Sequence, residues 1–197
     1  MLGLRNVPVR ELSELRWGLV TNVAGEPRRR ISTINARIET VATSPLYGPL
    51  LPDRRCVLFA DGYYEWQVRS DGSKQPMWIE RRDGSTFAFA GLWDDAFENG
   101  ELVAACTIVT QPANPVLAAL HERMPAVLAT AAAGEWLTPE RLEPADALRL
   151  LAPADGREWT YRPVSNAVGN VRNDSPDLIA PAEAAPVAPS LFDALGS

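Results

Sequence analysis

The stretch Arg55-Cys56-Val57-Leu58-Phe59-Ala60-Asp61-Gly62-Tyr63-Tyr64-Glu65-Trp66-Gln67-Val68 carries the fold reading. Cys56 to Ala60 is a continuous apolar run, the pattern of a strand covered on both faces. Asp61-Gly62 is a turn, and Tyr63 to Val68 alternates aromatic with polar positions at the period of a half-buried strand. The same rhythm continues downstream. Ser70-Asp71-Gly72-Ser73 is a second turn before a strand over Met77 to Arg81. Asp83-Gly84 is a hairpin signal before Thr86 to Trp93, and Asn99-Gly100 precedes Leu102 to Thr110.

Helix signals are short and peripheral. Ser44-Pro45 suits an N-cap and first helical position, with Pro52-Asp53 as the stop. Asn114-Pro115 opens a short helix to about Leu120, and helices are expected near 132–137 and 145–151. Arg16 to Val20, Ala126 to Leu128 and Trp159 to Pro163 read as short strands, Thr21 to Thr33 as a loop, and residues 1–15 are weakly patterned. The reading is one α+β domain over 1–179, a strongly curved, mainly antiparallel β-sheet with short peripheral helices. An Ala/Pro-rich flexible tail follows over 180–197.

Composition narrows the function classes. With 46% hydrophobic residues and no apolar run near the ~20 residues a membrane helix needs, the chain reads as a globular protein without a membrane partner. Neither a secretory signal nor metal-ligand spacing is present, so a cytoplasmic monomer without a metal or other cofactor is expected. Cys56 and Cys106 both read as buried strand positions. A net charge of −6 argues against bulk attraction to nucleic acid, but the basic residues are almost all arginine, with Lys74 the single lysine. Arg28-Arg29-Arg30 stand together before Arg37, and arginine's planar fork suits phosphate. The plain alternative is a solvated basic loop.

Three polar clusters bounded by apolar runs carry chemistry: Ile34-Asn35-Ala36-Arg37, Asp61 to Trp66, and His121-Glu122-Arg123-Met124-Pro125, which holds the only histidine. An amide, a carboxylate and an imidazole can form one small acid–base site, and Asn35, Glu65 and His121 are expected to share a cleft. Their order, together with Arg16-Trp17-Gly18-Leu19-Val20 and the late run Val164-Ser165-Asn166-Ala167-Val168-Gly169-Asn170-Val171, resembles the SOS-response-associated peptidase (SRAP) family of abasic-site processing proteins.

The resemblance implies a twisted sheet closing toward a barrel. It also implies a protein of the DNA damage (SOS) response that binds single-stranded DNA and shields abasic sites through a DNA–protein crosslink. Glu65 and His121 match the family's acid–base pair, with aromatic neighbours expected to raise the glutamate's pKa. Asn35 matches an amide that positions nucleophile and deoxyribose, and Arg37 a phosphate-binding arginine. A salt bridge from Arg37 to Glu39 or Asp61 is the structural alternative. Arg123 supports the site or binds phosphate, and Arg172, with Asn166 and Asn170, orders a loop or faces DNA. The family's nucleophile is a cysteine directly after the initiator methionine, whereas Met1-Leu2-Gly3 stands here, so the nucleophile is expected to be missing from this chain as written, its N-terminal segment truncated. Alternatives are a non-catalytic single-stranded DNA-binding module, a cysteine-type peptidase, and a truncated, poorly stable product. In the tail, Ser190-Leu191-Phe192 resembles the end of a peptide that binds the DNA sliding clamp. Packing of Leu191, Phe192 and Leu195 back onto the domain, or simple disorder, are the alternatives.

Overall fold

Short strands separated by polar turns dominate the chain. The computed structural model describes residues 1–8, 12–22, 30–98, 101–152 and 155–183. Arg28 and Arg29, and the tail with Leu191, Phe192 and Leu195, lie outside the described residues. In chain order the strands are β1 (Leu2–Arg5), β2 (Leu12–Glu14), β3 (Arg16–Trp17), β4 (Leu19–Asn22), β5 (Arg30–Thr33), β6 (Asn35–Arg37) and β7 (Arg55–Ala60). They continue as β8 (Gly62–Val68), β9 (Lys74–Arg81), β10 (Phe87–Glu98), β11 (Glu101–Pro112), β12 (Arg123–Pro125), β13 (Val127–Leu128) and β14 (Trp159–Pro163). Two α-helices, α1 (Thr130–Trp136) and α2 (Pro144–Arg149), and four 3₁₀ turns complete the described structure. No helix among the described residues is long and apolar enough to cross a membrane.

These elements gather into two compact units. The first comprises Met1–Ala60, Thr86–Pro112 and the described residues of 123–154; the second comprises Asp61–Ser85, Ala113–Glu122 and the described residues from Asp155.

The first unit holds a nine-stranded sheet with the path β12-β11-β10-β7-β1-β2 and a separate β4–β5 pair. Its spine is the β10–β11 hairpin, in register from Gly91↔Ile108 to Glu98↔Glu101, flanked by β7 through Phe87↔Ala60 to Leu92↔Arg55. Most ladders are antiparallel, but β3 and β6 lie parallel to β11. No ladder joins β12 to β2 among the described residues, so the pairing stays open rather than closing as a barrel. The core beneath the sheet collects Leu51, Val57, Leu92, Val109, Leu128, Trp136 and Leu151. Trp136, fully buried, donates its indole N–H to the Cys56 carbonyl at 2.9 Å, so its polar atom is satisfied as its ring leaves water.

A wholly buried arginine ties this unit together. Arg55 donates Nε to the Trp136 carbonyl at the end of α1 (2.9 Å) and Nη2 to the carbonyls of Thr138 (2.8 Å) and Glu140 (3.0 Å). Nη1 reaches the Leu51 carbonyl at 3.2 Å and that of Pro52. These partners are all main-chain acceptors, including a helix C-terminus, where positive charge is favoured. Desolvation lowers the guanidinium pKa and the nearby Asp53 charge opposes that.

The second unit is a three-stranded antiparallel sheet, β14-β9-β8. Central β9 buries Met77, Trp78 and Ile79, and Trp159 and Val164 are buried too. A Cβ on Gly62 would collide with Cζ2 and Cε2 of Trp78, so only glycine lets the first residue of β8 lie against that ring.

Several elements depart from the expectation. Ser44 to Asp53 is a run of turns rather than a helix. Ser44 Oγ does accept from the amides of Leu46 (3.2 Å) and Tyr47 (3.3 Å), as a cap does, but Gly48, Pro49 and Pro52 stop propagation. The segment after Asn114-Pro115 forms only a 3₁₀ turn, Leu117–Ala119. Arg16 to Val20 is two strands, parted at Gly18, whose φ of 114° breaks the extended line. Residues 30–33 form β5 inside the expected loop, and β1 and β2 occupy the weakly patterned start. Neither Asp61-Gly62 nor Asp83-Gly84 joins paired strands: β7 and β10 pair in the first unit, β8 and β9 in the second. A turn residue reverses the chain locally but does not choose the partner strand.

Candidate active site

In the second unit Glu65 and His121 are brought together by a strand and a closed loop. Asn114 Oδ1 accepts from the amides of Val116 (3.1 Å) and Leu117 (2.9 Å), which folds the chain after Pro115 into its 3₁₀ turn. Leu117 and Leu120 are buried and anchor the loop. His121 N–H donates to the Leu117 carbonyl at 3.2 Å, and Ala113 N–H to the Glu122 carbonyl at 2.9 Å, so residues 113–122 close on themselves with the imidazole outside. Gln67 Nε2 donates to the Ala119 carbonyl at 3.4 Å, tying this loop to β8.

Glu65 lies at the middle of β8. Its Oε2 stands 3.9 Å from His121 Nδ1, while its Oε1 accepts from Trp66 N–H at 2.9 Å. At 3.9 Å the two groups are too far for a direct hydrogen bond but near enough to share one substrate atom. The carboxylate side chain is 27% exposed and the imidazole 44%, so both are open to a ligand. Tyr63, two residues earlier on the same strand, packs edge-on to Trp159 with centroids 6.4 Å apart. Burial, then the Glu65 charge, pushes its phenol pKa well up, so it stays protonated. Tyr64 tilts against Trp78 at 5.0 Å, and Trp66 is exposed.

In the first unit Asn35 and Arg37 project from the exposed face of β6, with Ala36 buried between them. This short strand is firmly held. The Ile34 carbonyl accepts from Ile108 N–H at 3.0 Å and Trp17 Nε1 at 2.8 Å, and the Asn35 carbonyl accepts from the Tyr47 hydroxyl at 3.1 Å. Arg37 does not take up Glu39: that carboxylate is gripped by Arg123, Nη1 to Oε1 at 2.5 Å and Nη2 to Oε2 at 3.0 Å. Arg123 Nη2 also donates to the Thr110 carbonyl at 2.7 Å and hydroxyl at 3.3 Å. The Arg123 hydrogen bond lowers the Glu39 pKa, with the charges of Arg123 and Arg37 helping.

Residues 3–171 match the sequence profile of the SOS response associated peptidase (SRAP) family. The chain belongs to this family. Among SRAP relatives it is similar to the abasic site processing protein YedK of Escherichia coli, 39% identical over 172 residues (86% of this chain, 75% of the relative). It is similar to the abasic site processing protein YoqW of Bacillus subtilis, 36% identical over 169 residues (85% and 75%). Crystal structures of proteins from Bacteroides thetaiotaomicron (TM-score 0.75, 25% identity, 92% of this chain and 80% of that one) and Bordetella bronchiseptica (0.71, 28%, 83% of each) share the fold.

The structure thus brings Glu65 and His121 together, and sets Asn35 and Arg37 side by side on β6. Arg123, expected to support the site or bind phosphate, is engaged by Glu39 and Thr110. Arg30 pairs through its backbone with Asn22 in the β4–β5 ladder. Arg172 is exposed, its N–H donating to Asn170 Oδ1 at 3.1 Å, and Asn173 Nδ2 reaches the Ala167 carbonyl at 2.8 Å, so Asn170 orders this loop. Cys56 and Cys106 are free and fully buried. Burial raises both thiol pKa values, that of Cys106 to about 11. Among the described residues no group of His, Cys, Asp and Glu could hold a metal ion. Asn114 as a loop anchor and Glu39 as the partner of Arg123 go beyond the sequence reading. Asn-Pro marks the first as a turn, while the second spans 84 residues and leaves no local signal.

Proposed function

We propose that this protein processes abasic sites in single-stranded DNA, with Glu65 and His121 moving the protons, Asn35 contacting the deoxyribose and Arg37 a phosphate. The observation that carries this reading is the 3.9 Å approach of the chain's only histidine to Glu65, in a member of the SRAP family. An open abasic sugar presents an aldehyde. Amine attack forms a carbinolamine, and loss of water gives an imine. Addition of a neighbouring thiol across that imine, sulfur to carbon and proton to nitrogen, closes a thiazolidine crosslink. Each step needs a proton delivered to or removed from an oxygen, nitrogen or sulfur on one carbon centre, work suited to a neighbouring carboxyl and imidazole.

The crosslinking step also needs an accessible thiol. Cys56 and Cys106 are buried with raised pKa values, which argues against an internal nucleophile and so against a peptidase acting through either one. The same observation favours a second reading, in which these 197 residues bind abasic single-stranded DNA without forming the adduct. A denaturing gel with an oligonucleotide bearing one abasic site separates the two. The 197-residue chain is expected to give no adduct that survives denaturation; a surviving adduct lost in a Cys56→Ala or Cys106→Ala variant would assign an internal thiol.

A further inference from the structure

Arg123, Glu39, Thr110 and Arg37 form a cluster within the first unit whose arrangement the acid–base chemistry does not use. Arg123 presents a planar fork, and Glu39 fills it in bidentate fashion at 2.5 and 3.0 Å. The fork cannot swing freely, because Thr110 holds Nη2 through its carbonyl at 2.7 Å and its hydroxyl at 3.3 Å. The Thr110 rung of β11 pairs with Arg37, whose side chain is exposed and whose charge is felt at Glu39. A carboxylate and a phosphodiester offer the same pair of oxygens to a guanidinium. Glu39 is the more exposed partner, its side chain 46% accessible against 16% for Arg123, so it is the member able to leave.

We propose that Glu39 is an internal stand-in for a DNA phosphate: it occupies the Arg123 fork beside Arg37 in the free protein, and a backbone phosphate exchanges with it when single-stranded DNA binds. This rests on the reading that the Arg37 face contacts DNA. Glu39 then sets affinity downward, because each binding event must displace one carboxylate and leave its charge nearby. It also keeps the fork ordered, so that the arriving phosphate meets a fixed donor pair.

The test is a fluorescence-anisotropy titration of an intact, fluorescently labelled single-stranded oligonucleotide across a salt series. Glu39→Gln is expected to tighten binding about fivefold at moderate salt with the salt slope unchanged, because the same phosphate is engaged with and without the carboxylate. Unchanged or weaker binding by Glu39→Gln overturns the proposal and leaves Glu39 a strut. Should that variant be too unstable to assay, Glu39→Asp keeps the charge and shortens the arm; a smaller tightening is expected, and none overturns the proposal. Arg37→Ala reports on the underlying reading separately. If Arg37→Ala leaves affinity and slope untouched, that reading fails and the proposal with it. If Arg37→Ala weakens binding while Arg123→Ala does not, the face binds DNA but the fork takes no phosphate, which overturns the proposal alone.

Discussion

His121 reaches Glu65 from a closed loop, nearly half exposed, while the carboxylate sits in a strand with one oxygen already committed to the Trp66 amide. Glu65 Oε2 stands 3.9 Å from His121 Nδ1, close enough for the two groups to address one substrate atom. Glu65→Gln keeps the shape and removes the proton-transfer capacity, and His121→Ala removes the partner. In a chain supplied with an N-terminal cysteine, each is expected to slow abasic-site crosslinking by roughly 10²–10⁴, the usual worth of a positioned acid or base, with affinity for intact single-stranded DNA unchanged. Single-turnover rates beside binding isotherms check this. Two further residues bear on stability and thiol reactivity. Arg55 satisfies five main-chain carbonyls from a site with no solvent access. Arg55→Met should therefore cost about 3–5 kcal/mol in urea unfolding, since it strands buried acceptors. The Cys106 thiol, raised to about 11 by burial, is almost wholly protonated at neutral pH. Its alkylation in the native protein should stay far slower than in the unfolded chain up to about pH 9. Fast native labelling at neutral pH would contradict that burial.

Strand β8 is the element on which Glu65 depends, and its entry is fixed by a glycine. Gly62→Ala would drive a methyl into the Trp78 ring at Cζ2, and Trp78 is itself held through Nε1 to Glu80 at 2.8 Å. A loss of about 1–3 kcal/mol is expected as β8 shifts, measurable by thermal melts. How far each element is legible from sequence follows from its length and from where its partners lie. Trp159 to Pro163 and the strand at 55–60 are readable because five or six consecutive residues carry a pattern. Strands of three or four residues, β1, β2, β5, β6 and β12, are too short for periodicity and exist because β11, β7, β4 or, for β2, β1 offers them a ladder. Pairing choice is likewise hidden: Asp83-Gly84 looks like a hairpin, yet the strands it joins belong to different sheets. In the site, Glu65 and His121 are readable as residues from the family motifs, but the loop closure that brings them to 3.9 Å rests on Asn114, Leu117 and Gln67, whose partners no local pattern announces.

Across the whole molecule a net charge of −6 opposes a polyanion, so the proposed DNA binding is expected to rest on local arginines and to fall steeply with salt. Replacing Arg28, Arg29 and Arg30 together by alanine is expected to weaken single-stranded DNA binding and flatten the salt slope by about 0.7 for each phosphate no longer neutralised. An unchanged slope would mean that the run neutralises no phosphate. The central claim, that this SRAP chain recognises the abasic site itself and does so through Glu65 and His121, is tested most directly by one competition titration. Wild-type protein, Glu65→Gln and His121→Ala are each titrated with two single-stranded oligonucleotides that differ only by one abasic site. The account predicts tighter binding of the abasic strand by the wild type and loss of that preference in both variants. Equal affinity of the wild type for the two strands, or a preference that survives both substitutions, would contradict it.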